Sequence, residues 1–144
     1  VKKLGWKPDI IHCHGWMTAF MPLYVKKMYG DDPHFAEAKV VYSMYNQGFD
    51  GTMDSKLPSK LKFDGFEDGD IEGMDKAGTN ELHKLGVNLA DAVVYGSEGL
   101  DKDLVAHVAS SGKHLLEYQG EEAYVEAYSD FYDKVLDVDS VLVD

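Results

Sequence analysis

Arginine is absent from the 144-residue sequence, in which all fourteen basic residues are lysine. The chain therefore has no guanidinium group for the bidentate binding of a phosphate or carboxylate. Acidic residues are in excess, and the formal net charge is −12. Because nucleic acids and anionic membranes attract basic surfaces, this charge argues against both as partners. A neutral partner suits it better, although acidity that only maintains solubility would look the same.

Cysteine and long apolar runs are also scarce. The single Cys13 lies in an apolar run, which excludes a disulfide scaffold and is typical of a reducing compartment, so we expect a cytoplasmic protein. No run approaches the roughly 18 apolar residues of a membrane span, and no segment has the pattern of an export signal. Since the sequence begins with Val1 rather than methionine, we expect a fragment.

Short apolar runs alternate along the chain with segments of helical periodicity. The alternation predicts an α/β fold in which a parallel sheet of about four strands has helices on both faces. We expect one domain over residues 1–137 and a tail or linker over 138–144. The expected strands are 9–13, 39–45, 91–95 and a weaker 114–118, and the main expected helices are 16–29, 71–89 and 121–136.

One long segment interrupts this regularity. Residues 46–70 are rich in glycine and aspartate and lack periodicity, which is typical of a lid or a disordered segment. Following the second strand, this segment is expected to lie over the same face as the first strand's histidines. Further along, Ser97 precedes a helical pattern and is interpreted as a helix N-cap.

His12 and His14 lie two residues apart in the first predicted strand, so their side chains are expected on the same face. Three interpretations remain open: a pair of metal ligands, residues of a sugar or nucleotide pocket, or hydrogen-bonded histidines that close the strand end. No third metal ligand stands at a recognisable spacing, so no metal site is predicted. Cys13 is expected in the core, on the opposite face. The remaining histidines, expected to be solvated, are His34, His83, His107 and His114.

Three segments carry a family resemblance. KPDIIHCHGWMTAFMPLYVKK, residues 7–27, resembles the PDVVHAHDWHTALAPLYLK segment of ADP-glucose-dependent glycogen and starch synthases. AKVVYSMYNQGFDG, residues 38–51, is similar to their KSVFTIHNLAYQG. DKAGTNELHKLGVNLADAVVYGSEG, residues 75–99, resembles their FLKAGINYADAVTTVSPTY. The segments occur in the family's order.

The resemblance implies the later half of the N-terminal, Rossmann-like lobe of a GT-B glycosyltransferase. Members of this family transfer glucose from ADP-glucose to an α-1,4-glucan without a metal or other cofactor. The glucan acceptor binds mainly to this lobe, and the nucleotide binds mainly to the other lobe. The resemblance therefore implies two partners for this chain, an α-glucan or maltooligosaccharide and the missing lobe of the parent protein.

Two positions depart from the family pattern. Gly15 stands where the family has the aspartate of its HDW motif, and Tyr45 stands where it has the histidine of its HN pair. Both family residues belong to the sugar-transfer site. Losing one such polar group typically removes on the order of 3 kcal/mol of transition-state stabilisation. No catalytic residue is therefore assigned, and the chain is not expected to catalyse transfer alone.

The predicted substrate-binding pocket combines the strand-end cluster with residues of the family segments. Tyr45 and Trp16 are expected to stack on sugar rings, and Asn46 and Gln47 to bond hydroxyls, although core packing is the alternative for Trp16. The full set is His12, His14, Trp16, Thr18, Tyr45, Asn46, Gln47 and Lys76.

Three hypotheses of function follow. The chain is part of a synthase-like protein with a degenerate site that retains glucan binding, or part of an active transferase completed by other segments, or a scaffold or interaction domain without a ligand. In addition, the strand at 9–13 lacks the earlier strand with which it pairs in the family. We therefore expect an open edge, with self-association through it or a rearrangement that covers it.

Overall fold

A parallel β-sheet lies at the centre of the computed structural model, which describes residues 2–46 and 78–137. Within these ranges the sheet has four strands in the order β1-β2-β3-β4, all parallel. The strands are β1 (Ile10–His14), β2 (Lys39–Met44), β3 (Ala92–Tyr95) and β4 (His114–Leu116). The predicted α/β fold is thereby confirmed, with strand ends displaced by one or two residues.

Helices follow each of the first three strands, and a last helix follows β4. They are α1 (Phe20–Leu23), α2 (Thr79–Leu89), α3 (Lys102–Ser111) and α4 (Tyr124–Asp137). A 3-10 turn, Trp16–Thr18, precedes α1, and a π-helical turn, Tyr24–Met28, continues it. Pro22 explains the late start of α1, because proline is tolerated only in the first turn of a helix. None of the described helices is long and apolar enough to cross a membrane.

The helices cover the two faces of the sheet unequally. Strands that advance in one direction through right-handed crossovers carry their connecting helices on the same face. Accordingly, α1, α2 and α3 share one core with side chains from β1, β2 and β3. Buried members of this larger core include Cys13, Leu23, Tyr42, Met44, Leu82, Val93, Leu104 and Val108.

The opposite face is covered by α4. Phe131 and Val135 of this helix pack on Val41, Ala92 and Val94, whose side chains alternate with those of the larger core. The helix predicted over 121–136 is thus confirmed from Tyr124 onward, and its buried side chains are Phe131 and Val135. On β1, the side chains of Ile10, His12 and His14 point to this face.

The start of α3 differs from the prediction. Helix α3 begins at Lys102, and its N-cap is Asp101, whose side chain accepts a hydrogen bond from the Asp103 backbone N–H. The interpretation of Ser97 as the N-cap was therefore wrong by one helical turn, because a bend at residues 97–99 separates β3 from α3. The first part of the predicted helix 71–89, nearly all of the irregular segment 46–70 and the tail 138–144 lie outside the described residues.

Strand β1 is the edge of the sheet. Asp9 accepts a hydrogen bond from Lys39, and Gly15 donates one to Ser43, so odd-numbered residues of β1 pair with β2. In a parallel ladder the intervening residues direct both backbone groups to the other side. The peptide groups of Ile10, His12 and His14 therefore face an edge on which the described part of the chain places no strand.

Candidate functional site

The two histidines of β1 form a stacked pair at the carboxyl end of the sheet. The ring centroids of His12 and His14 are 4.0 Å apart, and the ring planes differ by 17°. The predicted common orientation of the two side chains is therefore confirmed. They lie on the face of the sheet that α4 covers, where Tyr128 and Tyr132 contact His12.

Both ring nitrogens of His12 are hydrogen-bonded within the chain. Nε2 lies 2.5 Å from the Ser43 hydroxyl on β2, and Nδ1 bonds the Tyr132 hydroxyl on α4. The Tyr128 ring stacks at a centroid distance of 5.9 Å. Burial, and then the neighbouring His14, lower the pKa of His12 from 6.5 to about 4. At neutral pH His12 is thus an uncharged imidazole whose donor and acceptor are both in use.

His14 is more exposed and has a simpler environment. Its Nδ1 bonds the Tyr45 hydroxyl at 2.8 Å, and burial lowers its pKa below the usual value. Among the described residues, Nε2 of His14 has no hydrogen-bond partner. This nitrogen is therefore available to a bound molecule, in contrast to both nitrogens of His12.

The Tyr45 ring occupies the space beside Gly96, which directly follows β3. A Cβ atom at Gly96 would lie 2.5–2.9 Å from the Tyr45 ring, so a larger residue there would displace the ring. Ser97 accepts a hydrogen bond of 3.0 Å from the Asn46 backbone N–H. Residues 96 and 97, at the end of β3, thus position the two residues that follow β2.

Gly15 makes the turn that follows β1. Its φ of 79° and ψ of 169° belong to a region that is essentially restricted to glycine. The carbonyl of Gly15 accepts hydrogen bonds from the Thr18 hydroxyl at 2.9 Å and from the Tyr42 hydroxyl at 3.2 Å. Thr18 therefore stabilises the turn, and the half-buried Trp16 packs against the larger core, which was the alternative to sugar stacking.

The remaining predicted residues divide into three groups. Cys13 is buried on the face opposite the histidines, as predicted, and burial raises its pKa to about 11. Asn46 is exposed beside a cavity of about 230 Å³ that Tyr45 and His83 also line. Gln47 and Lys76 lie outside the described residues. The described part of the chain contains no group of three His, Cys, Asp or Glu side chains that could hold a metal ion.

His83 was wrongly expected to be solvated. It is 1% exposed, its Nδ1 bonds the Tyr42 hydroxyl at 2.9 Å, and burial lowers its pKa. Gly86 makes this packing possible, since a Cβ there would lie 2.6–2.8 Å from the Tyr42 ring. The helical spacing of His83, Gly86 and Val87 could have indicated this second buried stripe.

Sequence reasoning also missed the partners of His12. Ser43 was predicted only as part of the strand 39–45, and Tyr128 only as part of the helix 121–136. Their contact with His12 joins residues 31 and 116 positions away in the chain. No local pattern specifies such a contact, because it depends on α4 docking against the sheet.

Comparison with known proteins gives a consistent result. The family model described as starch synthase catalytic domain matches residues 1–118. Glycogen synthase of Thermotoga maritima is 37% identical over 95 residues, which are 65% of this chain and 19% of the relative. Glycogen synthase of Geotalea daltonii is 45% identical over 51 residues, which are 35% of this chain and 10% of the relative.

A longer match covers most of the chain. Glycogen synthase 2 of Geobacter sulfurreducens is 26% identical over 131 residues, 86% of this chain and 26% of the relative. The chain thus spans about a fifth to a quarter of the length of these two longer-matching relatives. Helix α4 lies beyond the residues that the family model matches. The matches agree with the resemblance that the three sequence segments carry.

Proposed function

Because the chain belongs to the family of starch synthase catalytic domains, we propose that it binds an α-1,4-glucan and does not transfer glucose by itself. In the parent protein, ADP-glucose is the donor, the glucan is the acceptor, and the nucleotide is held by residues outside this chain. The protein acts in the cytoplasm, which the lone buried thiol of Cys13 favours. The observation that carries the proposal is the state of the histidine pair and the turn beside it.

The turn after β1 supplies no carboxylate. Gly15 occupies the position of the family's aspartate, and its backbone has the conformation that a side chain disfavours. An aspartate could not simply be added to this turn, because the backbone would have to change first. The turn therefore supports binding through its neighbours rather than catalysis.

His12 is not available as a catalyst. Both ring nitrogens of His12 bond hydroxyls of the chain, and α4 covers its ring. Tyr45, at the position of the family's second site residue, uses its hydroxyl on His14. A reacting sugar would have to displace these bonds before it reached either imidazole Nδ1.

The charge of the chain supports the same conclusion. A sugar nucleotide carries a diphosphate, and the chain has no arginine and a net charge of −12. The net charge therefore opposes binding of a diphosphate, and the chain offers no guanidinium group for bidentate binding of one. A neutral glucan meets no such barrier.

A transfer assay tests the proposal. The purified chain is incubated with ADP-glucose and a maltooligosaccharide, and ADP release and glucose incorporation are measured, with glycogen synthase of Thermotoga maritima as the positive control. We expect no turnover above the rate without protein. Turnover that His12→Ala abolishes would instead establish the second hypothesis, a rearranged active site.

A binding measurement distinguishes glucan binding from the hypothesis of a scaffold domain without a ligand. Maltooligosaccharide is titrated into the chain while the fluorescence of Trp6 and Trp16 is followed. Saturable quenching excludes a domain without a ligand. A flat titration, repeated by calorimetry to cover binding that is silent in fluorescence, would overturn the glucan-binding proposal.

A further inference from the structure

A groove lies between α4 and the carboxyl ends of β1 and β2. Its volume is about 500 Å³, within the range of small-molecule sites. His14 and Tyr45 line it from the sheet side, and Tyr124, Tyr128, Ser129 and Tyr132 line it from α4. With Val125, which also lines it from α4, four of the seven lining side chains are tyrosines.

The three tyrosines of α4 form a ladder along the groove. They are spaced four residues apart, so they lie on one face of the helix. Neighbouring ring centroids are 6.3 Å and 6.2 Å apart, with interplanar angles of 84° and 77°. Tyr124, in the first turn of α4, lies on the same face as Tyr128 and Tyr132 and is 50% exposed. The ladder therefore extends from the histidine pair outward to solvent.

The groove is neutral although the molecule is strongly acidic. Burial lowers the pKa of His14 and raises those of Tyr128 and Tyr132, so all three are uncharged at neutral pH. The rest of its lining is Tyr45, Tyr124, Val125 and Ser129, and it includes no Lys, Asp or Glu side chain. A charged ligand would find no counter-charge in this lining, and an anion would also be repelled by the net charge of −12.

Aromatic rings with hydroxyls at their edges match the surface of a sugar. A hexose presents an apolar C–H face and a polar rim, as a tyrosine presents an apolar ring and a polar tip. In the groove, Nε2 of His14, which bonds none of the described residues, and the Ser129 hydroxyl can bond sugar hydroxyls while the rings pack on the C–H faces. An elongated ladder of rings suits a chain of sugars better than a single one.

We propose that the groove between α4 and the His14–Tyr45 pair is a binding site for an α-glucan chain, with Tyr124, Tyr128 and Tyr132 as its stacking surface. This inference rests on the proposed glucan binding and locates it away from Trp16 and Thr18. Most of the groove is built from α4, beyond the 118 residues that the family model matches. The site is therefore a property of this chain's last helix.

Calorimetric titration of the whole chain with maltoheptaose tests the location. Tyr124→Ala removes a half-exposed ring at the outer end of the ladder, and Tyr124→Phe keeps the ring. Tyr118→Ala is the matched control, because Tyr118 is 43% exposed and lies outside the groove. Circular dichroism confirms that each variant is folded.

We expect Tyr124→Ala to raise the Kd about tenfold, and Tyr124→Phe and Tyr118→Ala to leave it within about twofold. Equal affinity of Tyr124→Ala and the unaltered chain would overturn the assignment of the groove as the binding site and leave the proposed glucan binding intact. No heat of binding with the unaltered chain, together with a flat fluorescence titration, would overturn both. The two failures are thus distinguishable.

Discussion

At Gly15 the backbone adopts φ 79° and ψ 169°, and a Cβ there would meet nothing closer than 3.9 Å. Space is therefore not what favours glycine, and the whole cost of a side chain is backbone strain. We predict that Gly15→Ala lowers the free energy of unfolding by about 1–3 kcal/mol, measured by urea denaturation. Gly120→Ala is the control, because Gly120 has no positive φ and no atom within 4 Å. Equal stability of the two variants would show that the turn relaxes without cost.

His12 makes a pH-dependent contribution to stability. Its pKa is about 4 in the folded chain and 6.5 ordinarily, so between these values the unfolded chain binds a proton that the folded chain does not. The free energy of unfolding should therefore fall as pH drops from about 6.5 to about 4, with no further loss from this group below pH 4. We predict that His12→Asn reduces this fall, as measured by urea denaturation at several pH values.

The control for that measurement is His114→Asn, because His114 lies exposed on β4. It should keep the pH dependence of the unaltered chain. Identical slopes for His12→Asn and the unaltered chain between pH 6.5 and 4 would contradict the account of a neutral, covered imidazole. Such a result would also weaken the argument that His12 is unavailable for catalysis.

The carboxyl end of α2 is capped by Lys113, which lies between α3 and β4. Nζ of Lys113 donates to the carbonyls of Val87, Asn88 and Ala90 at 2.5–2.6 Å, and burial lowers its pKa. A cation at this position satisfies carbonyls that a helix leaves unpaired and interacts favourably with its dipole.

We predict that Lys113→Met lowers the free energy of unfolding by about 2 kcal/mol, since methionine retains much of the side-chain volume and removes the charged donor. Chemical denaturation gives the value. Lys102→Met, at an exposed position at the start of α3, should change it by less than about 0.5 kcal/mol. A similar loss in both variants would indicate an effect of net charge rather than of the helix cap.

Helix α4 shows what the periodicity of a sequence can predict and what it cannot. The spacing of Tyr124, Tyr128, Phe131 and Val135 correctly predicted a helix with one packed side. It did not reveal that Phe131 and Val135 enter a core while Tyr128 meets His12. Periodicity specifies which residues share a face, and the docking of the helix specifies what that face touches.

At the scale of the whole molecule, the part of the chain that the structure describes leaves the β1 edge of the sheet open beside an apolar groove. The outward peptide groups of β1 border a groove of about 780 Å³ lined by apolar side chains. These include Trp6 at 60% exposure, Met21 at 46% and Tyr29 at 41%. An unpaired edge strand next to apolar surface favours pairing with another chain.

We predict that the chain self-associates through β1. Size-exclusion chromatography with light scattering should give masses above 16.1 kDa that rise with concentration. Ile10→Pro removes an outward backbone N–H without removing a bond to β2, so it should shift the population toward monomer. A monomer at all concentrations, with β1 uncovered, would contradict the prediction.

Local pattern was enough to predict the parallel α/β sheet and the common orientation of His12 and His14, while the family was indicated by the resemblance of three segments. These features follow from residue order and from the periods of strand and helix, which operate over a few residues. It was not enough for the buried His83, the Asp101 cap or the bonded state of His12. Each of these depends on which distant segment packs against it, and in particular on α4 covering the second face of the sheet. Docking between elements far apart in the chain decides whether a histidine is solvated, bonded or available to a ligand.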